Sequence, residues 1–452
     1  MQSSSTQLQT VADELASSAE RVIEFARRAG ADGTRVEIEA AESRAVAVTN
    51  RVPTERSFRG TLEMTVTVFR DGKRAFAKSS DLSDEGLSKI VRGAIDSTAA
   101  TESDPAAGFA DPGELARDFP DLDLHHPLDW SLDELGAHAQ RAEDAALAHD
   151  TSIKASKGVT VRTVSGVSLL ATSAGFLATA PWSIHSIACA PVAFGTGEKQ
   201  IGFWGDATRA FDDLAKPEDA GALAARRALD ALGATQVPTQ QCPVLFEPSA
   251  SLELLSELVS LASGDALYRS GSFLKDGIDS PLFPPHVQLD EDPFVKRGMA
   301  SRCFDSDGIA GLRRKVVEDG CLRGFFLGLY AARRLNLTPT GNGYGAHNLK
   351  MSSTRTGPRD DFAAMLRKLH CGLLVTEMVG GGLNRLTGDF SRGAKGFWVE
   401  NGEIRFPVRG ITIASNLRQM FGGLQAIGND AITRGGATSG SWLIDAMKIG
   451  GA

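Results

Sequence analysis

Residues 7–29 place Leu8, Val11, Ala12, Leu15, Ala19, Val22, Ile23 and Ala26 at intervals of three and four, and Gly30 follows Arg27 and Arg28. That period predicts an amphipathic helix with a glycine stop. The period then drops to two over 36–39, 44–49 and 62–69, which predicts strands. Arg70-Asp-Gly-Lys73 supplies a hairpin turn and 74–78 the return strand. Ser83 precedes a second amphipathic helix over 84–97, so the opening reads α-β-β-β-β-α, with helices on one face of a sheet. From 101 to 130 the chain is acidic, proline-bearing and aperiodic, and is expected to be a long surface connection. A third helix is expected over 131–148, strands near 158–164, 166–172 and 174–180, and a fourth helix over 217–232.

The aperiodic TQVPTQQCP at 235–243 is the best boundary in the chain. It divides an N-terminal α+β domain, 1–238, from a β-rich C-terminal domain, 239–452. After it come Val244-Leu-Phe, a short helix over 250–262, and strands at 314–319, 321–330, 371–379, 395–400 and 404–406, with Asn401-Gly402 as a hairpin signal. The fold class is therefore α+β: an N-terminal mixed or antiparallel sheet with helices, then a predominantly antiparallel, barrel-like C-terminal part closed against exposed edges.

Composition narrows the function classes. The 452 residues are 42% hydrophobic and 23% charged, as in globular proteins, and their 48 glycines favour a turn-rich β architecture. Net charge is −8 with no long basic block, which argues against nucleic acid as a partner. Residues 163–197 carry no Lys, Arg, Asp or Glu, yet glycines, prolines and hydroxyls interrupt them, so they read as buried strands and not a membrane span. The five cysteines are widely spaced without a CxxC pair, and the first residues lack a basic leader. A soluble cytoplasmic protein is expected.

Familiar catalytic signatures are absent: no His precedes a Glu, and there is no GxSxG elbow or phosphate loop. Gly341-Asn-Gly-Tyr-Gly345 reads as a tight turn, and His125 and His126 as solvated members of the acidic connection. His370 and Cys371, adjacent in an expected strand, point to opposite faces and cannot share a metal ion. Cys371 is either a satisfied core thiol or a nucleophile paired with His347. In the helix at 250–262, Glu253, Ser256, Glu257 and Ser260 form a polar stripe opposite Leu254, Leu255, Leu258, Leu261 and Ala262. The stripe is either a solvated face or a carboxylate pair at metal-ligand spacing. The run Gly380-Gly-Gly382 suits either a tight barrel corner or main chain open to an extended peptide.

At the tract Leu383-Asn-Arg-Leu-Thr-Gly-Asp-Phe-Ser-Arg-Gly-Ala-Lys-Gly-Phe-Trp-Val-Glu-Asn-Gly-Glu403 the chain resembles the TldD/TldE (PmbA) family, also known as modulators of DNA gyrase, in its TldE/PmbA-like branch. Ile411-Thr-Ile-Ala-Ser-Asn-Leu417, Ile427-Gly-Asn-Asp430, Ser263-Gly-Asp-Ala-Leu-Tyr-Arg269, Ser272-Phe-Leu274 and Glu291-Asp-Pro-Phe294 extend the likeness nearly end to end. The resemblance implies a subunit of an assembly that cleaves unfolded polypeptides and modified precursor peptides. In that family the TldD-type chain carries an HExxxH zinc site completed by a later cysteine, and the TldE-type chain lacks it. Alignment on Tyr268-Arg269 puts Ser256, Glu257 and Leu261 at the His, Glu and His positions, so the resemblance implies no catalytic residue, no metal and no cofactor here. Zn would sit in a TldD-like partner, with a homodimer possible in isolation. Gly380, Gly381, Gly382, Arg269 and His347 are the expected peptide contacts. Two other function classes stay open: a stand-alone regulator of the gyrase-modulator type, and an autonomous hydrolase using Cys371 or a metal held by His347.

Overall fold

The computed structural model describes residues 2–451, and side chains over 8–451. Helix α1 (Gln2–Arg28) leads into β1 (Gly33–Thr49), β2 (Val52–Arg70) and β3 (Lys73–Ser79). Then follow α2 (Asp84–Thr98), α3 (Leu132–Ala148), β4 (Ile153–Thr172), β5 (Leu177–Gly195), β6 (Glu198–Ile201), β7 (Trp204–Thr208) and α4 (Pro217–Asp230). The strands form one seven-stranded sheet, order β3-β2-β1-β4-β5-β6 with β7 beside β5, and every pairing is antiparallel.

Here the strands run longer than the hydrophobic period indicates. The expected pieces at 36–39 and 44–49 are one strand of 17 residues, and those at 158–164 and 166–172 are one of 20 residues. The piece expected at 174–180 begins at Leu177, after a turn in which Gly175 has φ +93°. Alternation fades mid-strand because only the ends meet helices. Val36 and Ile38 of β1 pack with α1 and α2, and Val46 and Val48 with α3 and α4. All four lie on one face, since side chains alternate along a strand. The helices therefore cover one face, as the pattern predicts, in two separate pairs. Ser83 caps α2, and Ser131 with Glu134 forms a capping box on α3.

The 101–130 connection is anchored by buried Ala106, Ala110, Ala116 and Leu122 and by a bridge from Leu115 to Ile309. His125 and His126 are half-buried in it, contrary to the solvated expectation. The His126 N–H donates to Ser183 Oγ at 2.8 Å, and its carbonyl accepts from His185 Nε2 at 2.8 Å.

Next come β8 (Gln240–Phe246), α5 (Pro248–Leu261), α6 (Gly264–Tyr268), β9 (Val287–Asp292), β10 (Arg314–Glu318), β11 (Cys321–Leu322) and α7 (Leu329–Leu335). The chain continues through β12 (Asn348–Ser353), α8 (Phe362–Leu369), β13 (Gly372–Val379), β14 (Asp389–Glu400) and β15 (Glu403–Asn416). It ends with α9 (Leu417–Gly422), β16 (Leu424–Ile427), β17 (Ile432–Arg434), β18 (Ala437–Ser439) and β19 (Trp442–Gly450). Strands β15-β14-β13-β8-β19 close on themselves through the β15–β19 pairing, which makes the barrel. A second sheet has the order β11-β10-β9-β12-β18-β17. The strand expected over 321–330 is corrected: it pairs for two residues, and α7 starts at Leu329. Helices α6 to α9 are at most eight residues long, too short for a helical period to register. Among the described residues no helix is long and apolar enough to cross a membrane.

Candidate functional site

Helix α5 starts at Pro248, which suits the first helical position because the missing N–H has no partner there anyway. Its apolar side is driven fully into the core: Leu254, Leu255, Leu258 and Leu261 are all 0% exposed. The opposite stripe leaves Ser256 exposed and Glu253, Glu257 and Ser260 half-buried.

Arg392 on β14 joins this stripe to the glycine run. Its Nη1 lies 3.2 Å from Glu253 Oε2, and its Nε donates to the Gly380 carbonyl at 2.7 Å. Burial raises the Glu253 carboxyl above the usual carboxylate range, and the Arg392 guanidinium opposes that rise. Lys395 pairs with Glu377 at 2.8 Å on the neighbouring strand.

The glycine run is a corner between β13 and β14. Gly380 takes φ +76°, and a side chain at Gly382 would overlap the Ser391 carbonyl, whose own N–H donates to the Gly382 carbonyl at 2.8 Å. Gly380 and Gly381 have open space where a Cβ would point, so the corner leaves peptide groups uncovered.

The tract after it braces itself. Asn384 Oδ1 accepts the Leu386 N–H at 3.0 Å, and Asp389 accepts from the Thr387 hydroxyl at 2.6 Å and from Asn416 Nδ2 at 3.1 Å. The Phe273 N–H donates to the Arg385 carbonyl at 2.9 Å, and Arg418 lies over the Phe273 ring at 5.1 Å. Leu386 is thereby held outward, 62% exposed.

The three positions that the resemblance assigns to a zinc site lie on α5 in different surroundings, with Glu257 half-buried. Ser256 is exposed and Leu261 lies in the core. Among the described residues no group of three or more His, Cys, Asp or Glu is gathered to hold a metal ion.

Of the other expected contacts, Arg269 sits exposed at the end of α6, its Nε donating to Tyr268 Oη at 3.0 Å. His347 is 3% exposed, with Nε2 at 2.9 Å from the Gly341 carbonyl and Nδ1 at 3.4 Å from that of Ala300. It is a core residue of the Gly341–Gly345 turn and not an open contact. His370 caps α8 with φ +58° rather than lying in a strand, and Cys371 is exposed just before β13. Among the described residues no hydrogen bond joins His347 to Cys371.

A second cluster escaped the sequence reading. The Glu291 carboxylate, fully enclosed, takes Arg314 Nε at 2.7 Å, Asn342 Nδ2 at 2.7 Å and the His347 N–H at 2.8 Å. Beside it Asp305 accepts the N–H groups of Ile309 at 3.0 Å and Gly343 at 2.9 Å, and burial pushes its pKa up to about 6. The Glu291-Asp-Pro-Phe294 motif was the available signal. For Arg392 the signal was its place in the TGDFSRG string.

Residues 125–232 match the PmbA/TldA metallopeptidase central domain, and 239–451 match the C-terminal domain. The chain is 39% identical over 386 residues to metalloprotease PmbA of Escherichia coli O157:H7, covering 85% of each chain. It is 34% identical over 386 residues to the metalloprotease PmbA homolog of Haemophilus influenzae, again 85% of each. Among solved structures it superimposes on a candidate modulator of DNA gyrase from Bacteroides thetaiotaomicron with TM-score 0.90 at 24% identity, covering 96% of this chain and 98% of that one. TldE from Thermococcus kodakarensis gives TM-score 0.84 at 18% identity, covering 96% and 100%. At such identities these two likenesses speak to fold alone.

Proposed function

Because this chain belongs to the PmbA/TldD metallopeptidase family, we propose that it is the metal-free subunit of a two-chain zinc peptidase. A TldD-like partner supplies the Zn ion and its general base. This chain helps shape the space that admits an extended substrate, an unfolded protein or a modified precursor peptide. The observation that carries the reading is the state of α5: exposed Ser256, half-buried Glu257 and core-facing Leu261. Zinc takes thiolate, imidazole or carboxylate ligands, and a leucine has no electron pair to give. Only Glu257 of the three could ligate, so these residues do not fit the ion. A carboxylate without a metal-bound water has nothing to activate.

The corner at 380–382 supports a role in handling peptide by its main chain. Extended peptides bind exposed backbone through hydrogen bonds that ignore side-chain identity, and Gly380 and Gly381 leave room for that approach. Five free thiols are consistent with a reducing compartment, and the pair is placed in the cytoplasm on this reading.

The test is co-expression with the cognate TldD-like chain, with an unfolded peptide offered to each subunit alone and to the two together, and zinc measured on each. Turnover is expected only with both present, lost on chelation, with zinc on the partner. Stoichiometric zinc and turnover by this chain alone would overturn the proposal.

A further inference from the structure

Cys371 is exposed between the end of α8 and the start of β13, and the site described above makes no use of it. Its neighbour follows from strand register. Strands β13 and β8 run parallel, with Leu373 beside Val244, Leu374 beside Leu245 and Val375 beside Phe246. Carried back two residues, that register sets Cys371 level with Cys242. At the intervening position a side chain on Gly372 would strike the Pro243 carbonyl, so the two segments are still in close contact there.

The two thiols also share a side. Side chains alternate along a strand. Cys242, Val244 and Phe246 of β8 pack in the same inner core as Leu373 and Val375 of β13, whereas Leu245 and Leu374 pack outside with Met365 and Leu369 of α8. Cys371, two residues before Leu373, has the parity of the inner set. Cys242 is 8% exposed. Burial pushes its thiol up to about 11, and the Cys371 thiol is near enough to push the same way. Neighbouring strands lie about 4.8 Å apart, inside the roughly 4.4–6.8 Å that a disulfide spans between Cα atoms.

We propose that Cys242 and Cys371 are a reversible redox pair, which a low-molecular-weight disulfide such as oxidised glutathione closes to a cystine. The exposed Cys371 thiolate attacks one sulfur of the small disulfide, whose S–S bond breaks and releases one thiolate. The Cys242 thiolate then attacks Cys371 Sγ, the mixed disulfide breaks, and the second small thiolate leaves. The protons given up by the two cysteines pass to the two released thiolates. Two protein thiols are thus oxidised by two electrons, and one small disulfide is reduced to two thiols. The second step is the slower, because the buried Cys242 has little thiolate to offer. The bond fastens the α8–β13 junction to β8, the first strand of the C-terminal domain, and reducing thiols release it. The proposal concerns the chain by itself and does not rest on a TldD-like partner.

The experiment incubates the full chain with oxidised glutathione, blocks remaining thiols by alkylation, and maps peptides by mass spectrometry without reduction. Wild type is expected to lose two of its five free thiols and to yield one cross-linked pair holding Cys242 and Cys371, reversed by dithiothreitol. Cys371→Ser is expected to leave Cys242 reduced, and Cys242→Ser to stop at glutathione held on Cys371. Cys242 is buried, so the wild-type map and Cys371→Ser, altered at an exposed position, decide the question even where Cys242→Ser does not fold. Glutathione retained on Cys371 of the wild type, a cross-link of either residue to another cysteine, or both thiols still open to alkylation would overturn the proposal.

Discussion

At residues 341–345 the chain turns around an enclosed ion pair, Glu291 with Arg314, whose side chains are 0% and 16% exposed. At 380–382 it turns beside an open one, Glu253 with Arg392, whose side chains are 43% and 15% exposed. Both corners are glycine-rich and both pairs link a strand to another element, yet they serve different ends. Around Glu291 the polar groups satisfy each other, and Gly341 is pressed against the Ala310 carbonyl. Around Glu253 one guanidinium fixes one glycine carbonyl, and the next peptide faces open space. The first corner is a lock. The second presents main chain.

Removing one partner of the enclosed pair is the strongest way to break this comparison. Glu291→Ala leaves Arg314 uncompensated and strips Asn342 and the His347 N–H of their acceptor, with an expected loss of about 3–5 kcal/mol in urea unfolding. Arg392→Ala at the open corner is expected to cost only about 1 kcal/mol. Equal losses would erase the distinction.

Glycine replacements sharpen it next. Gly341→Ala meets both φ +71° and the Ala310 carbonyl, for an expected loss of about 2 kcal/mol. Gly381→Ala meets nothing within 4 Å and is expected to leave the melting temperature unchanged. A large effect at Gly381 would mean that the open corner is packed after all.

A pH series gives a finer contrast. The Glu253 carboxyl is raised by burial, so its protonated form is favoured in the folded state. The stability it contributes is present below the ordinary carboxylate pKa and is lost as pH rises through the folded value. Arg392→Ala is expected to push that carboxyl higher and enlarge the loss, visible as a steeper fall in the urea midpoint. Glu24 on α1 shifts the opposite way: hydrogen bonds from Arg27 and Arg28 hold its pKa at about 2. Its contribution is present above the ordinary carboxylate value and fades as pH falls toward 2. Solvent screening keeps it small, so Glu24→Gln is expected to lower the melting temperature slightly at neutral pH and not at all near pH 2.

The same contrast separates what was legible in the chain from what was not. The polar stripe of α5 and the run Gly380-Gly-Gly382 were each readable, because helical period and consecutive glycines are local signals. Their connection was not, since Arg392 lies in a strand remote from Glu253 and nothing in its neighbourhood names its partner. His347 was expected at an open peptide contact and lies in the core, because a histidine after a glycine turn looks the same whether or not strands close over it. The long central strands were read as fragments for a related reason: between the two helix-packed clusters the alternation lapses, and main-chain pairing carries the strands across the gap.

The sequence alone therefore determined the α+β class, the helix-covered face of the first sheet, the outward stripe of α5 and family membership. These follow from repeats set by backbone geometry or from unbroken strings of residues. Tertiary structure alone decided which glycine corner is sealed and which is open. Sealing depends on carboxylates and guanidiniums delivered from distant strands, and the energy of a buried charge is fixed by its enclosure, which no local pattern records.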